Sequence, residues 1–163
     1  MAKREFLVDP VLYNVDRSIF GIEHIRLYNS QRFEMEQLSG ILYENFEDKS
    51  AVGYLDATES SFWVKGHMPD FPIMPGVIMC EAAAQLTGYF ANKYKLIPNA
   101  LLGLGGIDNA RFRSAVKPGN KLVIQIKILH YKKILITSEF MGIVNDKIAC
   151  EGTIKGIPVK NTT

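Results

Sequence analysis

The stretch PGVIMCEAAAQLTGYFANKYK, residues 75–95, decides the fold of this chain of 163 residues. It is rich in Ala, Leu and Met, lacks an internal proline, and is apolar on nearly every side apart from Glu81 and Gln85. Pro75 is tolerated in a first helical turn because its missing N–H has no partner there, and Pro98 opposes further extension. We therefore predict a buried helix of about twenty residues, roughly 30 Å long.

Segments typical of strands lie on both sides of this helix. Before it, residues 50–55 and 60–65 indicate a pair of strands, whereas 31–38 could be a short helix or the start of a strand. After it, the glycines at 103–106 indicate a turn. Three apolar segments then follow: 122–131, whose apolar residues alternate between two sides, 134–144 and 147–154. Turn residues precede and separate them: Pro118-Gly119-Asn120, Lys132-Lys133 and Asn145-Asp146. Such an antiparallel meander needs a cover for its apolar face, and the helix is the only candidate, which predicts an α+β fold.

The composition excludes several classes of protein. With 47% hydrophobic and 22% charged residues, the chain is long enough for one domain with its own core. A net charge of +2 is far from that of a typical nucleic-acid-binding domain. We expect no membrane span and no secretory signal, and hence a cytoplasmic protein. Cys80 and Cys150 stand alone, so we expect small buried hydrophobes rather than a zinc site or a disulfide.

The candidate site lies in residues 66–81, where three prolines force a stiff path into the helix. His67 begins that path, Glu81 follows 14 residues later inside the helix, and Gln85 comes one turn further on. Gly76, at the helix N-terminus, could present a backbone N–H to an oxygen that gains negative charge. The plainer alternatives are a loop histidine, a buried acid paired with Gln85 or a lysine, and a turn glycine.

Other polar residues favour structural or surface roles. His24 and His130 lie in ambiguous or strand-like surroundings without a matched carboxylate. A basic cluster precedes the meander and favours a solvated turn, although it could attract an acidic partner: Arg111, Arg113, Lys117 and Lys121. No phosphate-binding loop, GxSxG, HExxH or dinucleotide motif is present, and no cofactor or metal is expected.

The run GHMPDFPIMPGVIMCEAAAQ, residues 66–85, resembles the hallmark of the FabZ/FabA family of β-hydroxyacyl-acyl carrier protein dehydratases. A second block, GIDNARFR at 106–113 with the turn residues up to 120, is similar to that family's strand and turn after the central helix. The resemblance covers about residues 50–155, and glutamate in the acid position is closer to the FabZ branch. The family's usual HFPG is His67-Met68-Pro69-Asp70 here, and residues 31–35 are only a loose echo of a family segment.

The resemblance implies a hotdog fold, an antiparallel sheet wrapped around one long helix, as a single domain over 1–163 with an N-terminal extension of about residues 1–25. It implies dehydration of a (3R)-3-hydroxyacyl thioester on acyl carrier protein, in fatty acid biosynthesis. His67 would be the base, Glu81 the acid, Gly76 the oxyanion donor and Gln85 the residue that orients the acid.

The same resemblance implies a homodimer, with a trimer of dimers as a further assembly, in which each site takes His67 from one subunit and Glu81 from the other. The basic cluster would contact the carrier protein. Two alternatives stay open: a hotdog acyl-thioesterase, and a non-catalytic acyl-binding hotdog protein.

Overall fold

One long helix lies against a seven-stranded antiparallel sheet. The computed structural model describes residues 5–98 and 101–159. The helices are α1 (Ile22–Ile25) and α2 (Gly76–Lys93), with 3-10 turns at Pro10–Leu12 and Phe33–Met35. The strands are β1 (Phe20–Gly21), β2 (Gly40–Asn45), β3 (Ser50–Asp56), β4 (Leu101–Phe112), β5 (Lys121–Lys132), β6 (Leu135–Val144) and β7 (Lys147–Val159). Their spatial order is β1-β2-β3-β5-β6-β7-β4, which confirms the predicted α+β architecture.

Helix α2 matches the predicted helix closely. Pro75 stands directly before it, and ten of its 18 residues are buried. It ends before Pro98 is reached, because Lys95 takes a left-handed φ of 53°. The N–H of Lys95 donates to Asn92 O and that of Leu96 to Ala91 O, the paired bonds of a Schellman motif. The stop is therefore a backbone cap rather than the proline.

The alternation predicted for residues 122–131 is confirmed in β5. Leu122, Ile124 and Ile126 are buried in the core that includes α2. Val123 lies on the opposite face, in a second apolar cluster with Val8. Because successive side chains of a strand point to opposite faces, one strand serves both clusters.

The predicted turns of the meander are also confirmed. Asn145 and Asp146 have φ values of 48° and 61° and join β6 to β7, as a two-residue type I′ hairpin requires. Pro118 and Gly119, the latter with φ of 89°, form the turn before β5. Its closing bond runs from Asn120 N–H to Lys117 O across 3.0 Å.

Two local predictions are wrong. Residues 60–65 form consecutive turns rather than a strand, because Ser61 Oγ accepts the Thr58 N–H and the Ser61 carbonyl accepts the Val64 N–H. The glycines at 103–106 lie inside β4 instead of a turn. A Cβ on Gly103 would stand 2.6 Å from Val159 Cγ2, so the absent side chain lets β4 approach the branched residues of β7. For residues 31–38, the structure has one 3-10 turn and no strand.

The N-terminal segment lies on the face of the sheet opposite α2. Gln125, which is fully buried on β5, accepts the Val8 N–H and donates to Val8 O and to the Tyr13 hydroxyl. Residues 5–13 thereby cover apolar side chains of the outer face. Residues 1–4 of the predicted extension lie outside the described residues. In the described part of the chain, no helix is long and apolar enough to cross a membrane.

Candidate active site

His67 is fixed by two reciprocal contacts with Ile73. Its Nδ1 lies 2.8 Å from the Ile73 carbonyl oxygen, and the Ile73 N–H donates to the His67 carbonyl across 2.9 Å. A carbonyl oxygen can only accept, so Nδ1 carries the proton of the neutral ring and Nε2 holds the lone pair. The imidazole is thus oriented as a base that acts through Nε2.

The loop after His67 is a closed turn. Met68 and Phe71 exchange backbone hydrogen bonds of 3.1 and 3.0 Å, with Pro69 and Asp70 between them. Asp70 is exposed and has a φ of 64°, the left-handed conformation that the third residue of a type II turn requires. Aspartate tolerates this conformation better than most residues, although glycine adopts it most easily.

Further backbone bonds attach this loop to the core. The His67 N–H donates to the carbonyl of the buried Trp63 across 2.8 Å, and the Met74 N–H donates to Val116 O across 2.8 Å. Both ends of the 67–74 loop are therefore tied to buried residues. We infer that the position of His67 relative to the start of α2 is set by the backbone.

Glu81 is held by Gln85, one turn further along α2. Gln85 Nε2 donates to Glu81 Oε1 across 2.7 Å and to Met35 O across 2.6 Å, while its Oε1 accepts the Gln37 N–H. The side chain of Gln85 is therefore satisfied on every side, and the residue is only 4% exposed. Glu81 Oε1 is engaged, which leaves Oε2 as the oxygen that can exchange a proton.

Gly76 begins α2 under the ring of Phe112. A Cβ on Gly76 would lie 2.7 Å from Phe112 Cε1, so only glycine fits there without moving the ring. The first N–H groups of a helix have no intrahelical acceptor. The Gly76 N–H has none among residues 5–98 and 101–159 either, which leaves it available to an oxygen atom of a ligand.

The two predicted acid–base groups lie on different elements and have different hydrogen-bond partners. Glu81 lines a narrow cleft between α2 and the sheet, whereas His67 is in the loop before the helix. Within the described part of the protomer, His67 hydrogen-bonds to Ile73 and Glu81 to Gln85, and no hydrogen bond or ion pair joins His67 to Glu81.

The predicted basic cluster is divided by the fold. Arg113 donates to the Glu151 carboxylate at 2.5 and 3.0 Å, so its charge is largely neutralised. Lys121 donates to Val15 O and lies over the Tyr54 ring. Lys117, over the ring of Phe71, and Arg111, exposed on β4, remain turned to solvent. These last two are the members best placed to meet a partner.

Buried thiols do not supply a nucleophile here. Burial raises the pKa of Cys80, next to Glu81 in the sequence, to about 11. Burial together with the nearby Cys80 raises the pKa of Cys150 to about 12. A thiol must ionise to attack, so both side chains are inert packing groups at neutral pH, as predicted.

The pairing of Gln85 with Glu81 was expected from their spacing, but the contacts of Gln85 with residues 35–37 and of Gly76 with Phe112 were not foreseen from the sequence. Met35 and Gln37 act through backbone atoms, which carry no residue-specific signal. Phe112 contacts Gly76 from 36 positions away, and no local pattern indicates that pairing.

Comparison with known proteins shows the protein family to which the chain belongs. Residues 29–153 match the FabA-like domain family. The 3-hydroxyacyl-[acyl-carrier-protein] dehydratase FabZ of Coxiella burnetii (strain CbuK_Q154) is 31% identical over 145 residues, 85% of this chain and 99% of that protein. FabZ of Clostridium botulinum (strain Okra / Type B1) is 33% identical over 108 residues, 66% of this chain and 75% of that protein.

A solved structure agrees with this assignment at the level of the fold. The dehydratase heterocomplex ApeI:P from Xenorhabdus doucetiae superposes with a TM-score of 0.72 at 16% identity, over 90% of this chain and 95% of that chain. The antiparallel sheet around one long helix is thus a hotdog fold. Within that class, the chain belongs to the FabA-like family, which confirms the resemblance in residues 66–85.

Proposed function

We propose that this protein removes water from a (3R)-3-hydroxyacyl thioester on acyl carrier protein and forms the trans-2-enoyl thioester of fatty acid biosynthesis. The relatives named FabZ support the reaction class. The observation that carries the residue assignment is the orientation of His67, whose Nδ1 proton is committed to Ile73 O. This leaves Nε2 as the base.

The reaction begins at the carbon next to the thioester carbonyl. His67 Nε2 takes a proton from that carbon, and the electron pair of the broken C–H bond moves toward the carbonyl. The carbonyl oxygen gains negative charge, which the Gly76 N–H and the N-terminal end of α2 stabilise. His67 becomes an imidazolium ion.

Loss of the hydroxyl group completes the reaction. The electron pair forms the new C–C double bond as the β C–O bond breaks, and Glu81 Oε2 delivers a proton so that the group leaves as water. The hydrogen bond from Gln85 Nε2 to Glu81 Oε1 keeps the carboxyl group in a fixed orientation. His67 then releases its proton to solvent, and Glu81 takes up one proton from solvent. The protein thereby returns to its starting state, with one water molecule released from the substrate.

We propose that a second copy of the chain completes the site. No hydrogen bond joins His67 to Glu81 in the described part of one protomer, and among the described strands β4 is an edge of 12 residues that pairs with β7 alone. Four large apolar side chains of that edge are exposed: Leu101, Leu104, Ile107 and Phe112. A long apolar edge is suited to pairing with another strand, and Phe112 connects this edge to Gly76. Assembly beyond a dimer stays a prediction.

One assay distinguishes this function from its alternatives. Purified protein is incubated with 3-hydroxyacyl carrier protein while enoyl absorbance, free thiol and bound acyl chain are followed together. A dehydratase produces enoyl absorbance without free thiol. Release of free thiol would instead identify a thioesterase, and bound acyl chain with neither product would identify a non-catalytic acyl-binding protein.

A further inference from the structure

The side-chain amide of Gln85 is bonded at both ends to the residues on either side of Glu36. Its Nε2 donates to Met35 O across 2.6 Å, and its Oε1 accepts the Gln37 N–H across 2.9 Å. Glu36 therefore occupies the middle of the short backbone stretch that holds the amide. A contact that fixes Glu36 also fixes the two backbone groups that orient Gln85.

Arg26, the residue that follows α1, holds Glu36 by a two-pronged ion pair. Arg26 Nε donates to Glu36 Oε1 across 2.6 Å, and Nη2 donates to Oε2 across 2.8 Å. The Glu36 side chain is only 15% exposed. The hydrogen bonds from Arg26 lower the pKa of its carboxyl group, so the group is charged at neutral pH. Paired bonds between a planar guanidinium and a carboxylate fix orientation as well as distance.

The segment around Glu36 has no regular structure that would hold it against α2. Residues 33–35 form one 3-10 turn, which begins with the exposed Phe33 at a left-handed φ of 57°, an unfavourable conformation for a bulky residue. Apart from the bonds of Gln85, the side-chain hydrogen bonds that tie described residues 33–37 to another element are those of Arg26 with Glu36. The ion pair is thus the anchor of this stretch.

Arg26, Glu36 and Gln85 line one small cleft between α1, the turn and α2. Its volume is about 10 Å³, which is room for about one water molecule. The ion pair and the amide of Gln85 therefore belong to one tightly packed region. Because little free space separates them, a shift of Glu36 is passed on to Gln85.

We propose that Arg26 and Glu36 are positioning residues of the dehydratase site. The ion pair fixes the backbone of residues 35–37, that backbone fixes the amide of Gln85, and Gln85 orients the carboxyl group of Glu81. This inference rests on the proposed role of Glu81 as the acid. The pair acts on proton delivery and not on substrate contact, so its loss lowers kcat rather than affinity.

The test removes each partner of the ion pair. Arg26→Met and Glu36→Leu should each lower kcat about three- to tenfold while KM stays within about twofold. The double variant should be no slower than the slower single variant, because the two residues act as one unit. Arg26→Lys keeps the charge without the two-pronged geometry and should recover part of the loss. Urea unfolding checks that each variant is folded under the assay conditions.

Glu23→Gln is the matched control. Glu23 accepts a bond from Nη1 of the same arginine across 2.6 Å, but its side chain is 82% exposed and it does not contact residues 35–37 through any printed bond of its own element. This variant should keep the wild-type kcat. A loss in Glu23→Gln equal to that in Arg26→Met, or wild-type kcat in Arg26→Met, would overturn the proposal.

A second double variant tests whether the ion pair acts through Gln85. Glu36→Leu combined with Gln85→Met should be no slower than Gln85→Met alone, because the amide that the pair positions is already absent. Losses that multiply in this double variant would overturn the proposed route.

The failure of the proposed function is a separate result. If the wild type forms no enoyl product, the side-chain amide of Gln85 reports on the ion pair by NMR. Its nitrogen–proton signals are identified by their loss in Gln85→Met. Arg26→Met and Glu36→Leu should shift these signals, whereas Glu23→Gln should leave them in place. Signals that are the same in all three variants overturn the positioning role.

Discussion

Gln85 donates its side-chain amide to Glu81 across 2.7 Å and to the Met35 carbonyl across 2.6 Å, so one residue links the proposed acid to a segment 50 positions earlier. We expect Gln85→Met to lower kcat about tenfold or more with little change in KM, because a misplaced acid impairs catalysis rather than binding. Steady-state kinetics measure this split. A rise in KM at constant kcat would contradict the positioning role.

Gln125→Met provides the matched control for that variant. Gln125 is also buried, and its amide makes three hydrogen bonds, but these fasten Val8 and Tyr13 to the outer face of the sheet. We expect its loss to lower the free energy of unfolding by about 1–3 kcal/mol while kcat is unchanged. Urea unfolding and kinetics together separate a stabilising glutamine from a positioning one.

Gly76→Ala should lower kcat by about tenfold or more. The added Cβ would lie 2.7 Å from the Phe112 ring, so the start of α2 or the ring must move, and the oxyanion donor moves with it. Gly66→Ala is the comparison, because a Cβ at that exposed glycine meets nothing within 4 Å. If the two variants have equal kcat, Gly76 is not a site residue.

His67→Ala and Glu81→Ala should each abolish dehydration, and a mixture of the two should recover about a quarter of wild-type activity. Half of the randomly mixed dimers contain both variants, and each of these has one intact site of two. Native mass spectrometry confirms that subunits have exchanged. Verified exchange without recovered activity would rule out a site shared between subunits.

Reversal of the two solvent-facing cations, Arg111→Glu with Lys117→Glu, should raise KM for a carrier-protein substrate at low salt. Acyl carrier proteins are generally acidic, and exposed charges are screened beyond about 8–10 Å at ordinary ionic strength, so added salt should shrink the difference. Lys133→Glu, exposed in the β5–β6 turn, is the control. If the double variant has the same KM as the control at low salt, Arg111 and Lys117 do not contribute to carrier-protein binding.

Stability should fall as the pH drops below about 6.5 because of His24. Burial, and then the nearby Lys93, lower the pKa of His24 in the folded state. The unfolded chain therefore takes up a proton at a higher pH than the folded chain. The stabilisation by neutral His24 is complete above about pH 6.5 and is lost as the pH falls toward the folded pKa.

The substitution His24→Phe tests this pH dependence. The imidazole stacks on Phe20 at 3.9 Å, and within the described part of the chain its Nε2 has no hydrogen-bond partner. Phenylalanine keeps a stacked ring and removes the titrating group. Urea unfolding at pH 7.5 and 5.5 should show a smaller loss for the variant, and an equal loss in both proteins would assign the effect to other groups.

Local physical signals in the sequence were sufficient for much of the fold. The apolar composition and flanking prolines predicted α2, the period of two predicted β5, and paired turn residues such as Asn145 and Asp146 predicted the meander. Each of these patterns involves only a few neighbouring residues, so it can be interpreted without knowledge of the tertiary structure. The motif at 66–85 likewise indicated the family without any structure.

Tertiary contacts decided the rest. The glycines of β4 suggested a turn because glycine has a low propensity for strands. Strand β4 forms nevertheless, because Gly103 and Gly105 have no side chain and so leave room for Val159 and Ile157 of the neighbouring strand β7. The turns at 60–65 prevailed because hydroxyl and backbone bonds there compete with strand pairing.

The candidate site shows the same division. The sequence named His67, Glu81, Gly76 and Gln85, since their residue types and spacing suit acid–base chemistry. Two relationships appear only in three dimensions: the tautomer of His67, and the hydrogen bonds between Gln85 and the backbone of residues 35–37. The physical reason is that these relationships depend on how the chain folds back on itself, which no short window of sequence encodes.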